Sequence, residues 1–556
     1  MILPNRIALV SLIRTVAILS AISLPVQAAD NGISGYDQGA DLAIVASHES
    51  ESMQFELLHS RVSEKPDLWI NFEKELADFG EAGYQRLKPL VLDKPITELQ
   101  DSVLAEKLSY QDLVTFYLYR IREIEQDGDR FLNAIIATNP NALQDAKNRD
   151  EQRQAGRTVS QESLFGIPVL LKDNIGYAGL PTTAGAVALT DNVTANAFIA
   201  QRLEDSGAVI LGKANLSEWA YFFCDSCPSG YSALGGQTLN PYGRLEFGTG
   251  GSSSGSGAAA AANLAAVTVG SETSGSILSP ASANSLVGLK PTTGSLSRSG
   301  IVPISATLDT AGPITKSVAD AVLLFNAMSG FDPLDTAMPM LSQDNRLVFT
   351  DKSLRGQRIG VLDSFEDNVH YQAAIKRLAD AGAIAVPIVF ESPSFSGFDK
   401  FLGGEMVRDL SLYLEAYGNE SVQVGSVAEV QSFNEQELDI RAPYGQALID
   451  MMAGLEMTGE ELEALRIRLQ DSASGYLEGL FAEFDLDVLA SVNNRNAGLA
   501  ALANYPALTI PMGYQDNGRP LGLTFFAPSY QEQMLIDVGL QYEKLSLARK
   551  SPAGYE

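Results

Sequence analysis

Apolar residues recur along this chain in two alternating periods, and the alternation predicts the fold. Leu113, Phe116, Tyr117, Ile121 and Ile124 follow the spacing of one helix face. Ser109, with Asp112 three positions on, supplies the capping box that starts such a helix. Strand-length apolar runs follow at 132–138, 166–172, 208–211 and 267–270. Between them lie a helix opened by Asn139-Pro140, a second over 195–205 that stops at Gly207, and a third over 258–266. Helix, glycine and apolar strand in that order mark an α/β protein. Near the end, strands are predicted at 488–492, 507–511 and 521–526, then a closing helix over 531–547. Residues 29 to about 65 are polar and acidic and predict an irregular extension. A helix is expected over 68–87, and a connecting loop over 88–98, where Pro89 and Pro95 fall. Residues 330–480 are acidic and less regular, with helices expected around 403–417 and 437–481. No internal repeat is visible. The expected organisation is a signal peptide at 1–28, an N-terminal acidic extension with a helix at 29–94, and one domain at 95–556 that includes a variable helical region at 330–480.

The N-terminus changes the picture of where the chain works. Arg6 and Arg14 precede an apolar run, 15–24, and Val26-Gln27-Ala28 offers the small residues of a cleavage site. The expected location is periplasmic or secreted, with no membrane association after cleavage. The formal net charge is −29, and removing those two arginines with the leader gives −31. So acidic a surface repels nucleic acid and anionic membranes. Cys224 and Cys227 are the only cysteines. They cannot close a four-ligand zinc site alone, which leaves a local disulfide or two free small residues. No metal or cofactor is expected, and the oligomeric state is left open.

Candidate chemistry lies in two places. From 250 to 276 the chain reads as two serine-bearing turns around a small-residue helix and a short apolar run. Upstream, Gly166-Ile-Pro-Val-Leu-Leu-Lys172 is an apolar strand ending in a lysine. A serine hydroxyl needs a base, yet His48, His59 and His370 are the only histidines, and none lies in a glycine-rich or strand-end context. A lysine can replace histidine if burial keeps it neutral. Asp173 points to the other side of the strand and spares Lys172 an adjacent ion pair. Gly251-Ser-Ser253-Ser-Gly255 fits G-x-S-x-G, a cheap match in such a stretch, and no phosphate-binding P-loop is present.

These segments resemble the amidase signature family. Gly250-Gly-Ser252-Ser-Ser-Gly-Ser and Glu272-Thr-Ser-Gly-Ser276-Ile-Leu stand in the places of its two serine motifs, 24 positions apart from Ser252 to Ser276. Gly166 to Asp173 matches its G-I-P-x-x-x-K-D stretch. Flanking matches run through 182–185, 212–220, 288–292, 309–313, 505–512 and 522–526. The similarity is greatest to a peptide amidase-like branch, in which Glu takes the place of the usual Asp at position 272. Ser254, Ser274 and Leu278 depart from the wider pattern and bear on substrate range.

The resemblance implies a large mixed β-sheet covered by helices on both faces. It also implies hydrolysis of a carboxamide C–N bond by a Ser-cisSer-Lys triad: Ser276 as nucleophile, Ser252 as bridge after a cis peptide bond, and Lys172 as base. Backbone amides of Thr273, Ser274, Gly275 and Ser276 would form the oxyanion hole, with Ser253 in support. The implied partner is a small-molecule or peptide amide, such as a C-terminal peptide amide or small linear amide. The alternatives are an amidotransferase-type subunit and a non-catalytic exported binding protein on the same fold. Lys213 is a rival base, read as structural. Asn174 is a candidate for orienting a neighbour. Trp219, Tyr221, Phe222, Tyr505 and Pro506 are read as core packing before pocket lining.

Overall fold

The computed structural model describes residues 33, 36–338 and 346–556. The predicted leader, 1–28, lies outside the described residues.

Among the described residues, thirteen strands form in chain order: β1 Ile135–Thr138, β2 Pro168–Lys172, β3 Val209–Ala214, β4 Tyr231–Ser232, β5 Gly236–Gln237, β6 Val267–Glu272, β7 Val287–Lys290, β8 Thr310–Thr315, β9 Arg358–Leu362, β10 Ile384–Ile388, β11 Val488–Val492, β12 Ala507–Tyr514 and β13 Pro520–Phe526. All but the β4-β5 hairpin join one 11-stranded sheet in the order β1-β3-β2-β6-β8-β7-β12-β13-β11-β9-β10. Its pairing is mixed. β2 runs parallel to β3 and to β6, whereas β6, β8, β7, β12 and β13 alternate in direction. The central strands are buried on both faces, which is why they read as continuous apolar runs. Leu489, Ala507 and Phe526 join one core cluster, and their neighbours Val488, Leu508 and Phe525 join another. Each face of the sheet therefore carries its own helix-covered core, and the expected α/β fold is present.

Some elements differ from the expectation, each for an identifiable reason. The early helix runs Glu73–Val91, interrupted at Gly80, where φ is +54°. It includes Pro89, which the sequence placed in a loop; Pro95 sits just before a further helix, Ile96–Leu104. The segment expected to be irregular before residue 65 packs down instead. Its short helices bury Val45 and Met53, Leu58 is buried in the turn after them, and Gln38 Oε1 accepts from the Leu58 and His59 amides at 3.1 Å each. The helix expected at 437–481 is divided, because Thr458 and Glu461 form a capping box that starts a new helix, Gly459–Phe484. The region expected to be helical, 330–480, also supplies β9 and β10. β10 contains Pro387 and lies at the sheet edge, where a missing N–H breaks no ladder.

The helix that places the serines, Ser254–Ala261, begins four residues before the expected position and is wholly buried. Its start is stitched to the end of β3 by the Gly255 amide, which donates to Asn215 O at 2.9 Å. A Cβ on Gly255 would lie 2.4 Å from Ala134 O and 2.5 Å from Asn215 N and O, all backbone atoms. Gly255→Ala is therefore expected to destabilise the fold by about 1–3 kcal/mol, read as a lower urea midpoint with an unchanged slope.

Candidate active site

Lys172 ends β2, and β6 lies beside it with Ser271 and Glu272 at its own end. The Lys172 Nζ is fully buried and has three partners: Ser252 Oγ at 2.7 Å, Ser271 Oγ at 2.9 Å and Ser271 O at 3.1 Å. Among the described residues no carboxylate bonds to it. Asp173 turns away and pairs with Lys213 at 3.0 Å, both side chains being buried, and also accepts from Thr183. Lys213 thus has a structural ion pair that Lys172 lacks. Burial pushes Lys172 down to about 7, although Asp309 and Glu272 act in the opposite sense.

Ser252 follows the cis Gly251–Ser252 peptide bond and is fully buried. Ser253 braces the same turn: its hydroxyl donates to Ser271 O at 3.0 Å and accepts from the Ser271 amide at 3.2 Å. The Ser253 amide donates to Ser276 O at 3.2 Å, which draws the two serine turns together. Ser276 is 8 % exposed while Ser252 and Lys172 are 0 %, so Ser276 is the most accessible of the three. Among the described residues no hydrogen bond joins the Ser276 and Ser252 hydroxyls.

The turn after β6 leaves its backbone donors free. Among the described residues, the amides of Thr273, Ser274, Gly275 and Ser276 have no acceptor. The next two, Ile277 and Leu278, donate to Glu272 Oε2 at 2.7 and 3.0 Å. Gly275 has φ +93°, a conformation that disfavours any side chain. Buried Glu272 thus closes the turn from behind and leaves the four preceding amides available to an anion.

A cavity of about 300 Å³ reaches Asn174, Ser271 and Thr273 and is walled by Ile304, Leu412 and Tyr413. Leu412 and Tyr413 belong to the helix Phe398–Tyr417. That helix is fixed through buried carboxylates: Asp409 accepts from the Ala306 amide at 2.7 Å, and Glu405 from Ser305 and Thr307. A helix around 403–417 is expected from the sequence, but its place beside the cavity has no local sequence signal. Asp309 lines the cavity and accepts from Thr273 Oγ1 at 2.5 Å; its pKa is raised to about 6, chiefly by burial. Trp219 and Phe222 are buried and Tyr221 is exposed; of that segment Ala220 lines the cavity. Tyr505 packs against Phe481. Asn174 donates to Ser271 Oγ at 3.0 Å. Ser271 itself carries no sequence signal beyond lying in a run of small residues. Cys224 and Cys227 form a disulfide, and Phe223 O, just before the first of them, accepts from the Leu448 and Ile449 amides. No group of three or more His, Cys, Asp or Glu able to hold a metal ion occurs among the described residues.

The fold and its relatives define an amide hydrolase. Residues 112–491 match the family described as Amidase, and the chain belongs to that family. It is similar to a probable amidase of Arabidopsis thaliana, 36% identical over 83% of this chain and 92% of that one. Among solved structures, an amidase family protein from Bacillus anthracis aligns with a TM-score of 0.85 at 36% identity, covering 89% of this chain and 99% of the other. The native peptide amidase from Stenotrophomonas maltophilia aligns at 0.77 and 37% identity, covering 83% and 98%.

Removing Glu272 tests the closure of the turn. Glu272→Ala leaves the buried amides of Ile277 and Leu278 without acceptors and should cost about 1–3 kcal/mol of stability, seen as a lowered urea midpoint.

Proposed function

We propose that this chain hydrolyses a carboxamide through an acyl-enzyme on Ser276, with Ser252 as proton bridge and Lys172 as base. The observation that carries the reading is the fully buried, carboxylate-free Lys172 held 2.7 Å from Ser252. Ser276 Oγ attacks the amide carbon. Its proton passes to Ser252 as the Ser252 proton passes to neutral Lys172. The oxyanion that forms is held by the free amides of residues 273–276, each such donor contributing about 3 kcal/mol in the transition state. Lys172 then returns a proton through Ser252 to the departing nitrogen, and ammonia or an amine leaves. Water attacks the acyl ester by the same relay in reverse. The relay requires substrate binding to bring the Ser276 hydroxyl within reach of Ser252, a tightening common in going from a free to a bound active site.

The substrate class we favour is a C-terminal peptide amide or small linear amide. The likeness to a structure named as a peptide amidase supports this choice. Export to the periplasm or medium is part of the same proposal, supported by the basic-then-apolar start and by the disulfide.

The test is ammonia release from peptide amides, aliphatic amides, aryl amides and glutamine, with Ser276→Ala in parallel. Loss of release by at least about a thousandfold in the variant is expected; release that persists in Ser276→Ala overturns the assignment of the nucleophile. The pH profile gives a second prediction. The reaction needs neutral Lys172, whose pKa lies at about 7. kcat/KM should therefore be on its plateau above pH 7 and fall about tenfold per unit well below it.

A further inference from the structure

We propose that Ser271 and Asn174 are positioning residues that aim the lone pair of neutral Lys172 at the Ser252 hydroxyl. The inference rests on the reading of Lys172 as base and adds what makes that lysine directional. A neutral lysine amine has two N–H groups and one lone pair, and here it has three partners. Ser271 O, at 3.1 Å, can only accept, so it takes one N–H. Ser271 Oγ, at 2.9 Å, can accept the second N–H or donate its own proton to the lone pair. In the second case it would compete with Ser252 for the base.

Asn174 removes that competition. Its Nδ2 donates to Val302 O at 3.2 Å, which fixes the amide orientation, and also donates to Ser271 Oγ at 3.0 Å. Its Oδ1 lies 3.3 Å from Ser271 Oγ and accepts the Ser271 proton. With that proton committed, Ser271 Oγ accepts from Lys172. Both lysine N–H groups are then spent on Ser271, and the remaining lone pair faces Ser252 at 2.7 Å. The backbone of each partner is also held: Ser271 by its exchange with Ser253 Oγ, and Asn174 by the Val302 amide, which donates to Asn174 O at 2.8 Å. The charged groups around Lys172 do not supply direction. Glu272 at the end of β6 and Asp309 before β8 act on it only through space, and Asp173 is engaged with Lys213 on β3.

The experiment uses a fluorophosphonate, which reports the reactivity of Ser276 without a known substrate. Ser276 Oγ bonds to phosphorus, fluoride leaves, and the serine proton is taken by the relay. The inactivation rate constant and the half-saturating concentration are measured against pH for the full chain and for Ser271→Ala, Ser271→Thr, Asn174→Ala, the Ser271→Ala/Asn174→Ala double variant and Lys172→Ala. Ser271→Ala should slow inactivation by about 10- to 100-fold at unchanged half-saturation. Its acid limb should move down by roughly one pH unit, because a lost acceptor penalises protonated lysine more than neutral lysine. Ser271→Thr, which keeps the hydroxyl, should restore the rate to within a few-fold. Asn174→Ala should slow the wild-type background but add nothing to Ser271→Ala, since its role is exerted through the Ser271 hydroxyl. Wild-type inactivation by Ser271→Ala, or a slowed rate with an unmoved acid limb and no rescue by threonine, overturns the inference while leaving Lys172 as base. Wild-type inactivation by Lys172→Ala overturns both.

Discussion

The desolvation of Lys172 is the constraint on which the site depends. The strand before it is apolar and buried on both faces, and it runs between β3 and β6 inside the sheet. Glu272 and Asp309 both favour the charged form, yet burial outweighs them and leaves the pKa at about 7 rather than 10.5. That difference amounts to roughly 5 kcal/mol in favour of the neutral amine. A direct carboxylate partner works against burial, as at Lys213, although burial still holds Lys213 below the usual lysine value. It is equally buried and lies on the adjoining strand, but it bonds to Asp173. Putting the acid of the Lys-Asp pair on the far side of β2 therefore does two jobs: it satisfies Lys213 and leaves Lys172 without a counter-ion.

Holding two serines near such a lysine demands close backbone approach, and this explains the small residues between 250 and 262. A Cβ on Gly257 would meet Pro280 Cβ and Asn284 Nδ2 at 3.0 Å, and one on Gly270 would meet Ser253 Oγ at 2.8 Å. The helix between the serine turns buries almost nothing but backbone and methyl groups, so it lies flat against the ends of β3 and β6. Ser256 Oγ donates to Val269 O at 3.0 Å and fastens it there. Larger side chains would push the Ser252 turn away from Lys172, and misplacement of reacting groups by even an ångström is costly.

Much of this was legible in the chain because the signals are local. The strand ending at Lys172, the glycine stop at 207 and the capping box at Ser109 each rest on neighbours within a few residues, and the structure holds all three. The serine and lysine positions could be picked out because spacing and resemblance agreed. What escaped depends on contacts distant in sequence. β9 and β10 are short apolar runs that become strands only by pairing beyond β11. Residues 37–72 have no periodicity, yet they fold by seating single side chains such as Leu58 in a distant core. Ser271 is the sharpest instance, since its meaning comes from partners 97 and 99 positions away in the chain.

The same division separates chemistry from selection. Lys172, Ser271 and the 273–276 turn all sit at the ends of neighbouring strands, so the sheet itself fixes their spacing. The cavity wall formed by Leu412 and Tyr413 comes from a helix more than 100 residues further along, held to the 305–307 loop by carboxylates that accept from backbone and hydroxyl donors. Of those anchors Glu405 does not line the cavity and Asp409 does; Leu412 and Tyr413 lie about one turn beyond Asp409. Side chains on the wall can therefore change size while the anchors keep the helix in place and the sheet keeps the lysine dry. Under the proposed mechanism, substitutions on that wall leave undisturbed the balance of burial and charge that keeps Lys172 neutral.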